Sequence, residues 1–284
     1  MQGPNDGLAA VVPLNQSLDM ATGELTSHVR FSAKDGSWAV ELEVVQLISQ
    51  SVPALGLQQI SITHRTPRIN ISLAPAVTHY GLPGTASTDN LPYDIFGLGE
   101  PSPLLMVSNS GARMAIQVQT TCIGADHADA KGKPLASPCT SSKDDPSDGA
   151  VPLMMQSFHA VVGDASHPEP AFAAVRTAHY GHYRGFDRLR TENARVWADN
   201  WQSRVVIAGP GVTLADQEAL DAGVFSLLSS THTASRNGLP IDAFSCLEYG
   251  GRMFWGECWP PSSRAVGGTI SSGGESFCRT NHVG

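Results

Sequence analysis

Residues 35–48 read DGSWAVELEVVQLI. Trp38, Val40, Leu42, Val44 and Ile48 all fall on even positions, a period of two that places them on one face of a β-strand. The Asp35-Gly36 dipeptide before them is the pair that most readily closes a two-residue hairpin, because glycine accepts positive φ. Working outward, Ile60 and Ile62, then Ile69, Ile71 and Leu73, form two more short alternating runs on either side of Pro67. Asn109-Ser110-Gly111 signals another hairpin, between Leu104–Val107 and the run Met114, Ile116, Val118. Phe158, Ala160 and Val162 obey the same rule. Short strands with turn signals between them predict a mainly β, antiparallel sandwich with no internal repeat. Residues 124–150, rich in Asp, Lys, Ser and Pro, interrupt it as a surface loop.

The pattern changes after Pro168 and Pro170. Phe186, Leu189, Val196, Trp197 and Trp201 stand at helical spacing with charges between them, predicting an amphipathic linker helix over 185–202. A short strand, Arg204 to Ala208, is expected to end at Gly209-Pro210-Gly211. Thr213 and Asp216 resemble a capping box with Asp in place of Glu. They open a helix over 213–230 that carries Leu214, Leu220, Val224, Phe225, Leu227 and Leu228. Past Pro260-Pro261 the sequence becomes a Gly/Ser tail without apolar period, expected to be disordered.

Composition removes several function classes. Only 15% of the 284 residues are charged and the net charge is −8, so no positive face exists to neutralise phosphates and no nucleic-acid partner is expected. With 28 glycines and 19 prolines the chain is too turn-rich for a helical bundle, and 41% apolar residues are too many for a disordered chain. No apolar run reaches about 18 residues, and the amino terminus, apolar only from Leu8 to Leu14, does not read as a signal peptide. Asn15 and Asn70 head glycosylation sequons, which occur at chance frequency and leave the compartment open.

Among motifs that carry chemistry, the phosphate loop, the dinucleotide fingerprint, the nucleophile elbow and H-E-x-x-H are all missing. Five cysteines make no C-x-x-C pair, so neither a zinc site nor any cofactor is expected. His179 and His182 lack a nearby carboxylate and read as surface histidines leading into the linker helix. Arg184, Arg188, Arg190 and Arg195, interleaved with Asp187, Glu192 and Asp199, read as a solvated helix face with i,i+4 pairs. The informative stretch is residues 241–261, IDAFSCLEYGGRMFWGECWPP. It crowds Phe244, Tyr249, Phe254, Trp255 and Trp259 among Glu248, Arg252 and Glu257. Sugars offer flat C–H faces and a rim of hydroxyls, so aromatic platforms beside carboxylates and Arg suit them; an aromatic plug between helices fits the same composition.

This stretch resembles the junction in glycoside hydrolase family 65, which comprises acid trehalases, disaccharide phosphorylases and glucosylgalactosylhydroxylysine glucosidases. Members carry a linker helix with two spaced tryptophans, a strand, the first barrel helix, and then Tyr-x-Gly-His-x-Phe-Trp-Asp-x-Glu. Here Trp197 and Trp201, ADQEALDAGVFSLLSS, and Tyr249, Gly251, Phe254 and Trp255 follow in that order. Upstream, SLDMATGELTSHVRF is similar to the family's Leu-Asp-Met-x-x-Gly-x-Leu sandwich strands. Arg252 stands where the motif has His, Gly256 where it has the Asp that grips sugar hydroxyls, and Trp255 and Trp259 are one residue closer together than in the family.

The resemblance implies a super-β-sandwich, a linker helix and the beginning of an incomplete (α/α)6 toroid. Its boundaries are a sandwich over 1–170 lacking its first strands, a linker over 171–204, the start of the barrel over 205–261 and the tail 262–284. It implies inverting cleavage of an α-glucosidic bond, trehalose-like or glucosyl-galactosyl-hydroxylysine, with two carboxyl groups roughly 6.5–9.5 Å apart. Phosphorylases put phosphate where water would be. The family's acid and base lie beyond the point where similarity stops, at Pro261, so no catalytic residue is expected in this chain. A chain cut at both ends, binding an α-glucoside through Tyr249, Arg252, Phe254, Trp255 and Glu257 without turnover, is the expectation for this sequence. The parent's hydrolytic or phosphorolytic activity, and a vestigial non-catalytic sandwich, stand beside it. The apolar helix over 213–230 would be left uncovered and open to self-association. Cys122 and Cys139 bracket a polar loop; in a secreted parent they could form a disulfide that constrains the unfolded chain by roughly 3 kcal/mol, and in a cytosolic one they would be thiols.

Overall fold

The structure is a computed structural model that describes residues 8–52, 54–65, 71–73, 85–87, 103–107, 111–124, 139–141, 153–164 and 166–230. The chain divides into two compact units, residues 1–19 with 23–193, and residues 20–22 with 194–284. The first unit is built on strands β1 (Leu8–Asp19), β2 (Glu24–Ala33), β3 (Ala39–Ile48), β4 (Leu55–Arg65), β5 (Ile71–Leu73), β6 (Thr85–Ser87), β7 (Leu104–Val107), β8 (Arg113–Ile123), β9 (Cys139–Ser141) and β10 (Met154–Gly163). Eight of them form one sheet in the order β1-β2-β3-β4-β10-β8-β7-β6, antiparallel at every pairing, and β5 pairs with β9 separately. Helix α1 (Pro170–Arg184) and most of α2 (Phe186–Trp201) follow the sheet, and α3 (Leu214–Ser229) belongs to the second unit. This is a mainly antiparallel β architecture followed by three helices, consistent with a sandwich and then helices.

β10 shows why the alternation matters. Phe158, Ala160 and Val162 point to one face and are buried under the helices with Leu55, Leu57, Val45, Leu47 and Ala115. Phe186 and Leu189 of α2 close that cluster from above. Each fully buried Leu or Phe contributes about 1.5–3 kcal/mol. Met155 points to the other face and packs with Cys139, Leu153, Ile60, Ile62, Ile71 and Leu73, so the two-stranded sheet covers that end. A disulfide joins Cys122 of β8 to Cys139 of β9, with Cα atoms 5.6 Å apart, inside the span such a bond requires.

Residues 124–150 are not all surface loop, since strand β9 lies within them and its Cys139 is buried, and three further local readings change. The even face of residues 38–48 is a real strand face on which Val40 is buried, but further along the strand Val45 and Leu47 on the opposite face are the buried residues, while Ile48 is 69% exposed. The helices pack on the odd face, and position 45 breaks the apolar alternation for that reason. Second, the turn after β2 is longer than two residues. Ala33 N–H bonds Trp38 O at 3.0 Å, enclosing residues 34–37, and Gly36 has φ 71° with Ser37 N–H bonded to Asp35 Oδ1. Third, residues 170–184 form a helix that the sequence reading passed over. His179 and His182 lie on it and are not surface groups: the Gln119 amide nitrogen sits 3.2 Å from His179 Nε2, and His182 meets Phe158 edge-on.

α1 lies close to the sheet because its inner face is small. Ala171, Ala174, Ala178 and Gly181 are buried. A Cβ at Gly181 would stand 3.0 Å from both Leu55 Cδ atoms and 3.2 Å from Phe158 Cδ1. α2 is fixed by a buried amide, since Asn193 Oδ1 accepts from Gln50 N–H at 2.8 Å, and Arg190 grips Glu24 with two bonds of 2.6 Å.

Two outcomes are expected. Gly181→Ala overpacks the seam at a cost of about 1–3 kcal/mol, exceeding the up to about 1 kcal/mol that alanine gains in a helix, so urea unfolding should show a lower midpoint with unchanged slope. The second concerns His159, which faces away from α1; its Nε2 is buried without a hydrogen-bond partner among the described residues. Burial holds its imidazole below the ordinary value of 6.5. The unfolded chain therefore takes up the proton first, so this stability is present above about pH 6.5 and is lost as pH falls through the depressed native value. Melting temperature should drop below that pH more steeply than in His159→Gln; parallel curves would refute the assignment.

Candidate functional site

The aromatic segment singled out in the sequence, with Tyr249, Arg252, Phe254, Trp255 and Glu257, lies outside the described residues. What is described is the framework leading into it, all within the second unit. The end of α2 brings Trp197 and Trp201, four residues apart, into different roles. Trp197 is buried and stacks on Phe225 of α3, ring centroids 4.7 Å apart and planes 20° apart. Trp201 donates its indole N–H to Met20 O at 2.7 Å. One tryptophan therefore seats α3 on α2, and the other ties α2 to the turn at residues 20–22.

Residues 204–208 do not form the expected strand. They pair with no neighbouring strand among the described residues. The side chain of Gln217, on the first turns of α3, takes the place of one. Its Nε2 donates to Val205 O at 3.0 Å, and its Oε1 accepts from Ile207 N–H at 3.0 Å. A primary amide offers the same donor and acceptor as a peptide unit, so Gln217 satisfies the backbone that a ladder would otherwise bond. Gln217 also donates to Asp221 Oδ1, and Asp221 holds Arg204 by two bonds of 3.0 and 2.5 Å. The i, i+4 spacing of Gln217 and Asp221 is visible in the sequence, but their common target on the preceding segment is not.

α3 opens on a formed capping box. Thr213 Oγ1 accepts from Asp216 N–H, and Asp216 Oδ2 accepts from Thr213 N–H at 2.8 Å. No residue of α3 is buried, and Leu214 is 75% exposed.

Two carboxylates of this framework serve to position the chain. Hydrogen bonds from the Thr213 backbone and hydroxyl hold the Asp216 carboxyl below the usual carboxylate range. The Arg204 guanidinium does the same to Asp221. Carboxylates kept ionised this way accept hydrogen bonds and do not serve as general acids. In the first unit Glu192 is engaged by Arg184 and Arg188, and Glu24 by Arg190. Of these, Arg188–Glu192 is the expected i,i+4 pair; Arg190 reaches across to the sheet instead. Among the described residues no group of three or more His, Cys, Asp or Glu side chains could hold a metal ion. None of the described helices is long and apolar enough to cross a membrane.

No family model matches the sequence. No curated protein matches it either. Solved structures do match in fold. One of them, a protein described as a kojibiose phosphorylase, from the human microbiome, superposes with a TM-score of 0.51 at 12% identity. The match covers 79% of this chain and 29% of that one, so the chain spans under a third of that protein's length. At this identity the likeness shows the fold alone, a β sheet followed by helices, and function must be argued from residues.

The Gln217 arrangement is testable. Gln217→Leu keeps a helix-forming side chain of similar length but removes both backbone bonds, so trypsin should cut after Arg204 faster than in the wild type while cuts in the sheet keep their rate. Equal rates at Arg204 would mean that the amide is not what holds the segment.

Proposed function

We propose that this chain is the sandwich and leading-helix portion of a glycoside hydrolase family 65-like protein that recognises an α-linked glucoside, and that it holds the sugar without cleaving it. The observation that carries the reading is the fold likeness over most of the chain, with the paired tryptophans of α2 preceding α3 as in the motif order of that family. Tyr249, Phe254 and Trp255 would supply the stacking platform, and Arg252 with Glu257 the hydroxyl contacts. Two carboxylates of α3 support binding without turnover, since Asp216 is committed to capping and Asp221 to Arg204. Lacking a general acid and base, a site forfeits about 10²–10⁴-fold from each proton transfer.

Hydrolysis and phosphorolysis differ only in the nucleophile, and the phosphorylase in the fold comparison makes phosphate a necessary arm of any assay. Incubation with kojibiose, trehalose and glucosyl-galactosyl-hydroxylysine, with and without phosphate, should release neither glucose nor glucose phosphate above the Glu257→Gln level. Titration of the same sugars should quench tryptophan fluorescence in the wild type, and not in Trp255→Ala. Product release would overturn the non-catalytic reading, and unchanged fluorescence with every sugar would overturn recognition.

A further inference from the structure

Among the described residues β1 is an edge of the eight-stranded sheet, bonded to β2 on one side only. Free edges invite pairing with other chains, and proteins guard them with charge, proline and bulges. β1 reads LAAVVPLNQSLD, with Asp19 at its very end as its one charge. Pro13 and a register shift between Pro13 and Asn15 interrupt its middle. On either side of that break Val11, Leu14 and Leu18 are 51%, 50% and 47% exposed, an apolar edge with little of its own to keep it in water.

At the break stands Asn15-Gln16-Ser17, an N-x-S sequon whose Asn15 and Ser17 are both exposed. A second observation, independent of the sequon, bears on whether such a signal is ever read. Cys122 and Cys139 are bonded, and the pair is integral to the core: Cys139 is buried with Leu153 and Met155. Structural disulfides of this kind form in oxidising compartments, which are also where asparagine-linked sugars are added.

We propose that Asn15 is an N-glycosylation site and that the attached oligosaccharide shields the β1 edge. The co-reactant is an oligosaccharide carried on a polyprenyl diphosphate. The Asn15 amide nitrogen forms the new bond to sugar C1, the bond from C1 to the diphosphate oxygen breaks, the polyprenyl diphosphate leaves with the electron pair, and the amide gives up one proton. Ser17 supplies the hydroxyl that the sequon requires. The other sequon, Asn70-Ile71-Ser72, has its asparagine outside the described residues, so exposure bears on Asn15.

The test expresses the full chain behind a secretion leader in a eukaryotic cell and compares gel mobility before and after peptide N-glycosidase. Wild type, Asn70→Gln and Ser17→Thr should each lose a glycan's worth of mass on treatment, while Asn15→Gln and Ser17→Ala should show no such loss at Asn15 in the tryptic peptide ending at Arg30. On size exclusion the enzyme-treated protein should self-associate more than the glycosylated form. If Asn15→Gln does not fold, the Ser17→Ala and Ser17→Thr pair decides with Asn15 intact. Secreted protein with the Cys122–Cys139 bond closed and Asn15 unmodified would overturn the site. Unchanged monomer content after deglycosylation would overturn the shielding.

Discussion

Gly181, lying against Leu55 and Phe158, sets the distance between helix and sheet in the first unit. Because no side chain intervenes there, α1 settles low enough for Ala171, Ala174 and Ala178 to seal Ala115, Ala160 and Val162 with little more than methyl groups. The same approach brings His179 to Gln119 and His182 to the edge of Phe158. It also determines where α1 can end: Gly185 takes φ 79° after Arg184, and α2 begins at once with Phe186 buried in the same cluster as Leu55. Moving α1 outward would unseat Phe186 and Leu189 together, so one glycine governs the placement of two helices.

The strands were legible in the sequence wherever one face is dry and the other wet. Phe158, Ala160 and Val162 alternate against Met155 because the helices lie on one side of β10 and β5–β9 on the other. The α3 cap was legible for a different reason, being a local bond between positions three apart. α1 was not legible. Apart from Val175 and the leading Pro170, its buried face is alanine and glycine, which carry little contrast against its exposed face, and proline at its start reads as a break although it suits the first turn of a helix. Residues 204–208 misled in the opposite sense: Val205, Val206 and Ile207 have strand chemistry, but the bonds they need come from a glutamine on a helix. No pattern along the chain announces that a side chain will stand in for a strand. Of the candidate site, the paired tryptophans were readable and lie where the linker helix was expected, while Tyr249 to Glu257 rest on motif resemblance alone.

β5 and β9, at three residues each, are too short to hold together by their own ladder. Ile71 and Leu73 are anchored because they share apolar neighbours with Met155, and β9 is anchored because Cys139 is bonded to the adjacent long strand. Covalent and hydrophobic tethers thus do for this small layer what pairing does for the large sheet. The bridge also confines a long excursion of chain between β8 and β9, so its loss would be felt in the unfolded state as well as the folded one.

The strand order has a consequence for how the molecule is made. β1 to β4 form a meander of neighbours, each able to find the previous one as soon as it leaves the ribosome. β4 then has to wait: its other partner is β10, residues 154–163, and β8 can join the sheet only across that same strand. Contacts so distant in sequence are slow to form, because the entropy of closing the loop is spent before any pairing rewards it. During that interval β4 presents an unpaired edge rich in isoleucine and leucine. Synthesis of this chain therefore passes through a sticky half-sheet whose lifetime is set by translation speed, and its yield in any host depends on what keeps that edge occupied until β10 arrives.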